Sequence, residues 1–408
     1  MIPVELARQK ILDAIDRSPP LASETMPLVK SAGRVLSESL VARVTKPPLA
    51  VSAMDGWAVR TEDCQTIPTY LQSVGEVAAG QVPKQKLKAK QTMRIFTGAA
   101  IPQGADAVVL QENATITPDG QVEIHSPVQP AQHIRQAGID FARGDQILTT
   151  PRLLTARDLS LAAAANYPDL PVFMRPKIGI LSTGSELIAA GQKPKSKAQI
   201  INSNSYGLAA IIIASGGSVI DFGIVEDDAA VLEEKIDLAK QVKLQMLVTI
   251  GGASVGDYDL VQSVMASRGM VLDFWKIAMR PGKPLIFGQF DEGRLFLGLP
   301  GNPVSCYICA LIFLRPAIQR FLGIDRPMQK IRATSTMPIK ANDERREFQR
   351  ATLVQSDDQG WQVTPAPRSD SSLHSVLAAA DGLIERAPFA AAVVAGEEIE
   401  VLLIPPGF

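Results

Sequence analysis

The sequence predicts a multidomain protein with a central, mostly parallel α/β domain, a β-rich inserted domain and a small C-terminal β-barrel or β-sandwich. Three observations support this fold class. A chain of 408 residues exceeds one ordinary hydrophobic core. Residues 173–325 alternate short apolar runs with helical patterns. Residues 47–139 and 326–408 instead show short strands separated by frequent turns.

The N-terminal segment begins with an amphipathic helix over residues 2–17, which Ser18-Pro19-Pro20 ends. Residues 26–46 indicate strands but are too few to form their own core. We therefore expect residues 143–171, with a helix capped by Thr155, to pack back on them. The predicted domains are a discontinuous N-terminal domain (1–46 and 140–172), an inserted β-rich domain (47–139), the α/β domain (173–325) and a C-terminal β domain (326–408).

Within residues 173–325, apolar runs predict the strands, and patterns of helical period predict the helices between them. We expect the acidic run Glu226-Asp227-Asp228 to cap the helix that follows it. The expected strands are 177–181, 219–225, 246–250, 285–290 and 295–299. The expected helices are 208–214, 229–241, one ending at 267, and 304–322. The C-terminal domain is expected to have strands at 329–337, 347–354, 360–365 and 397–403.

Composition excludes several classes of protein. A net charge of −1 gives no general argument for binding nucleic acid or an anionic membrane. No run is apolar enough over the roughly 18 residues that span a bilayer, and no signal peptide is evident. Three cysteines without a disulfide framework favour a reducing cytoplasm. Only three histidines occur, scattered along the chain, so oxygen ligands are expected for any metal.

The segment Met246–Asp259 has the most informative pattern. A short apolar strand ends at Gly251-Gly252, and Ser254, Gly256, Asp257 and Asp259 follow before the next helix. Small residues let a ligand approach the backbone, and a helix N-terminus attracts anions. Two acids beside a phosphate make sense when a divalent cation lies between them. The alternative is a tight turn with one Asp as a helix cap, which leaves the second acid unexplained.

Other polar residues are expected at the same edge of the sheet, because ligands bind at the carboxyl ends of parallel strands. Acids of this kind suit Mg²⁺, whereas lysine, arginine and hydroxyl groups suit an oxyanion. The sequence has neither a nucleophile–His–Asp pattern nor a dinucleotide or Walker A motif. The pattern favours metal-assisted chemistry on a phosphate-bearing small molecule, with a second anion subsite. The residues concerned are Glu186, Asp227, Asp257, Asp259, Lys276, Arg280, Lys283, Ser305 and Arg350.

Eight segments in order along nearly the whole chain resemble one known family. They are SAMDGWA (52–58), FTGAAIPQGADAVV (96–109), TG-x-EL (183–187), INSNS (201–205), GGASVGDYD (251–259), MRPGKP (279–284), GLPGNPVS (298–305) and RREFQR (345–350). Single segments are weak, but eight in register are specific. The sequence resembles the molybdopterin molybdenumtransferases, the MoeA and gephyrin E-domain family.

The resemblance implies a transferase of molybdenum cofactor biosynthesis that inserts molybdate into adenylylated molybdopterin with Mg²⁺ and releases AMP. It also implies the roles of individual residues. The acids that hold Mg²⁺ and the anhydride link of the substrate are Glu186, either Asp227 or Asp228, and Asp259, with Asp257 as a further candidate. The catalytic set is Asp55, Thr97, Glu186, Asp259, Lys276 and Lys283. The groups that bind substrate and molybdate are Ser254, Gly256, Arg280, Pro284, Ser305, Arg350 and Ser371.

One position departs from the family pattern, because Ser185 stands where an acid usually precedes Glu186. The resemblance further implies a homodimer with its active site at the subunit interface, where Asp55 and Thr97 of one chain meet the α/β domain of the other. Contact with other enzymes of the molybdenum cofactor is a further expectation. Two alternatives are a molybdopterin adenylyltransferase, which resembles only the central unit, and a gephyrin-like scaffold.

Overall fold

The structure is a computed structural model that describes residues 1–252, 260–290, 293–356, 358 and 360–408. It divides into two compact units, one of residues 25–172 and one of residues 1–24 with 173–408. The described fold confirms the predicted class, with a central α/β domain and a small closed β-barrel in the C-terminal region. Each unit is described separately below.

Helix α1 (Val4–Asp16) confirms the amphipathic pattern at the N-terminus. Its buried face includes Ala7, Ile11 and Ala14, at spacings of three or four residues that place them on one side of a helix. This face packs on the helix Arg315–Phe321, and the Arg320 guanidinium donates two hydrogen bonds of 2.6 Å to the Asp16 carboxylate. We expected residues 1–24 to belong with residues 140–172. They group instead with residues 173–408, because the apolar face of α1 packs against that unit.

The unit of residues 25–172 contains two principal sheets and one helix. The six-stranded sheet has the order β8-β5-β7-β6-β10-β9, and the four-stranded sheet has the order β1-β14-β2-β13. Short ladders join β11 to β4 and β12 to β3. The strands are β1 (Ser23–Pro27), β2 (Val35–Leu36), β3 (Leu40–Val41), β4 (Val51–Ser52), β5 (Gly56–Val59), β6 (Thr69–Val77), β7 (Gln91–Ile95), β8 (Ala107–Leu110), β9 (Ala114–Ile116), β10 (Gln121–Ile124), β11 (Ile134–Arg135), β12 (Gln146–Leu148), β13 (Arg152–Leu153) and β14 (Asp169–Phe173).

Helix α2 (Ala156–Ala164) begins after Thr155, as predicted. The Thr155 backbone N–H and hydroxyl both donate to Asp158, which orders the first turn. The helix packs in a core formed by residues from both ends of this unit, including Leu36, Leu154 and Val172. Separate cores lie on the two faces of the six-stranded sheet, one around Trp57 and Leu71 and the other around Met93, Ile95 and Val108.

The α/β domain is built on one six-stranded sheet of order β18-β15-β19-β23-β22-β20. Its core includes Leu181, Leu247 and Phe296. The strands are β15 (Lys177–Thr183), β16 (Leu187–Ile188), β17 (Ile200–Ile201), β18 (Ser218–Val225), β19 (Met246–Ile250), β20 (Val271–Lys276), β21 (Met279–Arg280), β22 (Pro284–Gln289) and β23 (Leu295–Leu299). The helices are α3 (Asn204–Ala214), α4 (Ala229–Gln241), α5 (Leu260–Ser267), α6 (Pro303–Cys309) and α7 (Arg315–Phe321).

Helices α6 and α7 are joined without a break by one π-helical stretch, Ala310–Leu314. The expectation that no run is long and apolar enough to span a bilayer was wrong, because the π-helical join gives a continuous helix, Pro303–Phe321, of 19 residues that is apolar enough by length and composition alone. Its most apolar window is 72% buried inside the protein. That burial is what a core helix of a folded domain shows, and it explains why residues 304–322 are so apolar.

The C-terminal region forms a closed barrel. Strands run in the order β25-β26-β24-β28-β27, and β27 pairs again with β25 to complete the ring. The elements are β24 (Lys330–Ser335), β25 (Arg346–Ser356), β26 (Gly360–Pro365), α8 (His374–Ala378), β27 (Gly382–Arg386) and β28 (Glu398–Leu403). The four predicted strands are present. The pattern analysis missed β27 and α8, which are each only five residues long.

Candidate active site

The described site residues of the α/β domain lie at one edge of its sheet, which we call the C-terminal edge. Strands β15, β18, β19 and β23 are parallel, so their carboxyl ends lie side by side there. Strand β22 is antiparallel to β23 and begins at this edge, and β20 is antiparallel to β22 and ends at it. The edge therefore collects four loops together with Lys276 and Lys283.

The first of these loops, after β15, carries the exposed carboxylate of Glu186. Gly184 has a φ of +149°, and a Cβ atom added to it would lie 2.6 Å from a carboxylate oxygen of Glu186. The Glu186 carboxylate thus lies directly against the backbone of Gly184. A side chain at position 184 would displace it, which gives the glycine of this motif a physical role.

Ser185 joins this loop to the one after β18. The backbone N–H of Ser185 donates to Oδ2 of Asp227 at 3.2 Å, and the backbone N–H of Asp227 donates to Oγ of Ser185 at 3.0 Å. An acid at position 185 would place a second negative charge beside Asp227. The serine accepts the same hydrogen bond without that repulsion, so the departure from the family pattern leaves Asp227 held in place.

Asp228 is the N-cap of α4, as predicted for this acidic run. Its Oδ1 accepts hydrogen bonds from the backbone N–H groups of Ala230 at 2.8 Å and Val231 at 3.1 Å. These bonds satisfy two N–H groups that have no partner within the helix. Of the two neighbouring acids, Asp227 is therefore the one whose carboxylate is outside the cap.

The donor set at the C-terminal edge fits Mg²⁺. Within the described ranges, no group of three or more His, Cys, Asp or Glu side chains could enclose a metal ion. Mg²⁺ needs fewer protein ligands, since it is usually held by one or two carboxylates with waters and substrate phosphates. Glu186 and Asp227 supply two such carboxylates. The remaining predicted residues of the neighbouring loop, Ser254, Gly256, Asp257 and Asp259, lie outside the described residues.

The loops after β15, β19 and β23 approach one another closely. A Cβ atom on Gly251 would lie 2.6 Å from the carbonyl oxygen of Thr183. A Cβ atom on Gly301 would lie 3.6 Å from the Cα of Gly251. Gly251 also has a φ of +91°, which side chains disfavour. The glycines allow three loops to meet in a space where side chains would separate them.

We expect Gly251→Ala to lower the free energy of unfolding by about 2–4 kcal/mol, because it combines a clash with a backbone oxygen and a strained φ. Urea denaturation would measure this loss. The matched control is Gly207→Ala in α3, where an added Cβ meets nothing within 4 Å. That control should be neutral or stabilising, since alanine favours helix. Equal stability of the two variants would contradict the close approach.

Lys276 and Lys283 lie next to each other on the antiparallel pair β20–β22. Lys276 is the register partner of Pro284, and the backbone N–H of Ile277 donates to the Lys283 carbonyl at 3.0 Å. The Lys276 ammonium lies 3.6 Å from the ring centre of Trp275. The chain's second residue completes the arrangement, since the Ile2 N–H donates to the Lys276 carbonyl at 3.1 Å.

Arg280, predicted to bind substrate, makes contacts to the C-terminal barrel. Its guanidinium donates to Glu347 at 2.8 Å, Asp343 at 3.0 Å and Asn342 at 3.1 Å. We call these four residues the Arg280 clamp. Because three acceptors already engage the guanidinium, its first role is to hold the barrel beside the loop that carries Lys283.

The clamp has a defined pH dependence. Hydrogen bonds from Arg345, with the charge of Arg280, lower the pKa of Asp343 from 3.8 to about 2. A carboxylate with a lowered pKa stabilises the fold fully above its unfolded pKa and loses that effect as pH falls toward the folded pKa. We expect Asp343→Asn to be less stable than wild type at about pH 5, with the difference vanishing near pH 2 in urea unfolding. A constant difference across that range would contradict the lowered pKa of Asp343.

The loop after β23 connects the α/β domain to a serine loop of the C-terminal region. Asn302 donates through Nδ2 to the Ser371 hydroxyl at 3.1 Å, and the Val304 N–H donates to the Ser371 carbonyl at 3.0 Å. Ser371 is thereby fixed at the first turn of α6, which contains the buried Ser305. Ser203 also contacts His374 at 2.8 Å. These contacts bring two predicted hydroxyl groups to the same helix start.

Arg350 lies beneath this serine loop. It is only 4% exposed, and its Nη2 donates to the carbonyls of Arg368 and Asp370 at 3.0 Å each. Burial lowers its pKa, while the charge of Asp370 opposes that shift. Its Nη1 is buried without a hydrogen-bond partner among the described residues. An unpaired buried donor beside a serine loop is what an oxyanion would satisfy.

Asp55 and Thr97 are brought together in the other unit. They flank the antiparallel strands β5 and β7, and the Thr97 backbone N–H and hydroxyl both donate to Oδ1 of Asp55, at 2.7 and 2.8 Å. These bonds lower the pKa of the Asp55 carboxyl, the backbone bond most. Both residues are exposed. In the sequence, Asp55-Gly56 and Thr97-Gly98 are each an ordinary turn pair. In the structure the two residues form one hydrogen-bonded polar pair.

Sequence reasoning missed several residues that shape the site. Asn302 lies in a quoted motif but had no assigned role, and the pairing of Ser185 with Asp227 joins two loops that are 42 residues apart. Asn342 and Asp343 of the Arg280 clamp lie in a polar stretch without a recognisable period. A local sequence signal exists only for Asn302, within Gly-Asn-Pro before a helix.

Three family models match consecutive parts of the chain. The MoeA N-terminal region (domain I and II) matches residues 2–166, a probable molybdopterin binding domain matches 179–320, and the MoeA C-terminal region (domain IV) matches 332–404. Together they cover the α/β domain, the barrel and the unit that carries Asp55.

Curated relatives match over most of the chain. A molybdopterin molybdenumtransferase of Haemophilus influenzae is 33% identical over 98% of this chain and 98% of that protein. Molybdopterin molybdenumtransferase 2 of Mycobacterium tuberculosis is 34% identical over 92% of this chain and 94% of that protein. The molybdopterin biosynthesis moeA protein of Pyrococcus horikoshii OT3 has a similar structure, with a TM-score of 0.85 and 26% identity over 99% of this chain and 100% of that one. The chain therefore belongs to the molybdopterin molybdenumtransferase family.

Proposed function

We propose that this protein is a transferase of molybdenum cofactor biosynthesis that inserts molybdate into adenylylated molybdopterin, in a Mg²⁺-dependent reaction that releases AMP. The observation that carries the proposal is the C-terminal edge, where carboxylates and lysines of opposite sign gather beside a serine loop. The full-length relatives named molybdopterin molybdenumtransferase support the same activity. No feature of the described residues specifically favours an adenylyltransferase or a scaffold.

Glu186 and Asp227 would hold Mg²⁺, with Asp257 and Asp259 as further candidates, while Asp228 serves as the helix cap. When bound, the ion supplies Lewis-acid polarisation of the phosphate anhydride. The chain's own contribution is to hold the carboxylates in place. Gly184 gives Glu186 its position, and Ser185 fixes Asp227 through two backbone hydrogen bonds. Ser254 and Gly256 would offer a small-residue loop beside the phosphates.

The basic residues would bind the anionic substrates. Lys276 ends β20 and Lys283 directly precedes β22, and both would offer ammonium groups to phosphate or molybdate. Ser305 and Ser371 would supply hydroxyl groups, and Arg350 would position the serine loop and add positive charge beneath it. Pro284 starts β22, directly after Lys283 and opposite Lys276 in the strand register. Arg280 would act through the clamp rather than on substrate.

Asp55 and Thr97 would act from a second subunit. We propose a homodimer whose active site lies at the subunit interface, which would make a single chain inactive. Support comes from the exposure of both residues and from their fixed mutual geometry, which no core role requires. The Thr97 donors keep Asp55 ionised, which suits an acid that orients or activates a polar group.

The proposed setting is the cytoplasm, where other enzymes of the molybdenum cofactor would deliver the substrate and accept the product. All three cysteines are free and buried. Burial raises the pKa of Cys306 to about 12, which keeps this thiol protonated and unreactive. The C-x-x-C of Cys306 and Cys309 is thus a pair of core residues.

The deciding experiment is a turnover assay. The full-length protein is mixed with adenylylated molybdopterin and Mg²⁺, with and without molybdate, and AMP is measured. AMP release that requires molybdate supports the transferase. Consumption of ATP with unmodified molybdopterin would instead indicate the adenylyltransferase. Binding of intact substrate without AMP release would overturn the proposal in favour of a carrier or scaffold.

A further inference from the structure

A cavity lies in the same unit as the α/β domain but is separate from the C-terminal edge. It has a volume of about 280 Å³ and is bounded by α1, by the second half of the continuous helix Pro303–Phe321, and by the barrel. We call it the α1–α7 cavity. Arg315 lines it, ten residues along the helix from Ser305, which corresponds to about 15 Å.

Two polar side chains in this cavity each have one buried atom without a hydrogen-bond partner among the described residues. Arg315 is 6% exposed and Gln319 is 5% exposed. Within the described residues, the Arg315 Nε and the Gln319 Oε1 are buried without a hydrogen bond. The one hydrogen bond from the Arg315 guanidinium runs from Nη2 to the Arg326 carbonyl at 2.5 Å. A buried donor and a buried acceptor on adjacent turns are costly unless something binds them.

The lining carries excess positive charge. Its cations are Arg8, Arg315, Arg326, Lys330 and Arg346, and its acids are Glu5, Asp325 and Glu385. Glu5 and Glu385 are already paired with Arg346, and Glu385 also binds Lys330. This leaves Asp325 facing Arg8, Arg315 and Arg326, none of which forms an ion pair within the described part of the chain. Burial lowers the pKa of Arg315, the charges of Arg326 and Arg8 lower it further, and Asp325 opposes them.

The helix backbone is also unusual at this point. The π-helical stretch Ala310–Leu314 contributes Leu311 and Ile312 to the cavity wall, directly before Arg315. A π-helical turn inserts one extra residue into a helix and thereby rotates all the residues after it. The stretch therefore decides on which face of the helix Arg315 and Gln319 lie. Such stretches frequently accompany functional sites.

We propose that the α1–α7 cavity binds a phosphate group that keeps one P–O–H hydrogen, either hydrogen phosphate (HPO4²⁻) or the monoanion of a phosphate monoester. The oxygens would accept hydrogen bonds from Arg315 Nε, with Arg8 and Arg326 closing over them from the exposed side. A remaining P–O–H hydrogen would satisfy Gln319 Oε1. The ligand neutralises the surplus charge and pairs both buried atoms at once. This site does not depend on the proposed transferase activity.

The test is a binding titration of the full-length protein with inorganic phosphate and separately with AMP, at constant ionic strength. Calorimetry gives the number of sites, and ³¹P NMR follows the bound phosphate. The test variant is Arg8→Gln with Arg326→Gln, because both side chains are exposed and their loss should spare the fold. The matched control is Arg17→Gln, an exposed arginine just after α1 that does not line the cavity.

We expect at least a tenfold weaker affinity at one site in the double variant and no change in the control. A Lys276→Gln, Lys283→Gln variant should keep this site, which separates it from anion binding at the C-terminal edge. Tighter binding of AMP than of phosphate would identify a monoester as the ligand, and weaker binding of AMP would identify free phosphate. Unchanged affinity and stoichiometry in the double variant, or no phosphate binding by wild type, would overturn the proposal.

Discussion

Glu186→Gln is expected to lower the rate of AMP release at least about 100-fold, equivalent to about 2.7 kcal/mol of transition-state stabilisation. The amide keeps the shape of the side chain but removes the negative charge that would hold Mg²⁺ beside the anhydride. Because Glu186 is exposed and lies against Gly184, the fold should tolerate the change. The measurement is kcat for molybdate-dependent AMP release over a range of Mg²⁺ concentrations.

The control is Glu234→Gln, which makes the same chemical change at an exposed position of α4. It should retain wild-type activity and the same dependence on Mg²⁺. Thermal unfolding of both variants tests whether they fold alike. If Glu186→Gln turned over at the wild-type rate, Glu186 would have no part in the reaction, and the metal would have to be held by the acids of the following loops alone.

Mixed dimers provide the second large effect. Asp55→Asn and Glu186→Gln proteins are each expected to be nearly inactive, yet subunits exchanged between them should recover about one quarter of wild-type activity. If Asp55 acts on the neighbouring chain's site, each mixed dimer has one site with both lesions and one site with neither. About half of the dimers are mixed after random exchange, which gives the expected fraction.

Asparagine is the suitable replacement because its carbonyl oxygen can still accept the two hydrogen bonds from Thr97. The control is exchange between Asp55→Asn and Thr97→Val subunits. Both substitutions lie in the same unit of the chain, so every site in a mixed dimer keeps one of them and no activity should be recovered. No recovery in the first mixture would show that both residues serve one chain's own site, and the proposed interfacial active site would be wrong.

Much of the fold could be predicted because its signals are local. The strand Met246–Ile250 is fully buried and apolar along its length, and Thr155 and Asp228 mark helix starts by their capping chemistry. The packing partner of α1 could not be predicted, since an amphipathic pattern shows that one face of a helix is buried but not which element buries it. Strand β27 was missed because its five residues, GLIER, include a glycine and two charged side chains and so show no apolar run.

The site divides in the same way. Glu186 and Lys283 were predictable because they follow or precede strands whose ends share one edge. Arg280 resembles a substrate-binding arginine in its motif, and only the barrel's Asp343 and Glu347, more than 60 residues later, show that its donors are engaged. The unpaired Nη1 of Arg350 could not be inferred either, because burial of a single atom depends on tertiary packing.

The hydrogen bond from Ile2 to Lys276 has a practical consequence for anyone who handles this protein. The Ile2 carbonyl also accepts a hydrogen bond from the Ala278 N–H at 2.8 Å, so residue 2 is hydrogen-bonded to the residues on both sides of Ile277. An affinity tag fused at the first residue would disturb these hydrogen bonds and with them the end of the strand that carries the proposed catalytic residue Lys276. Weak turnover of such a fusion would then reflect the purification handle, so kinetic work needs a protein whose residue 2 can still form both hydrogen bonds.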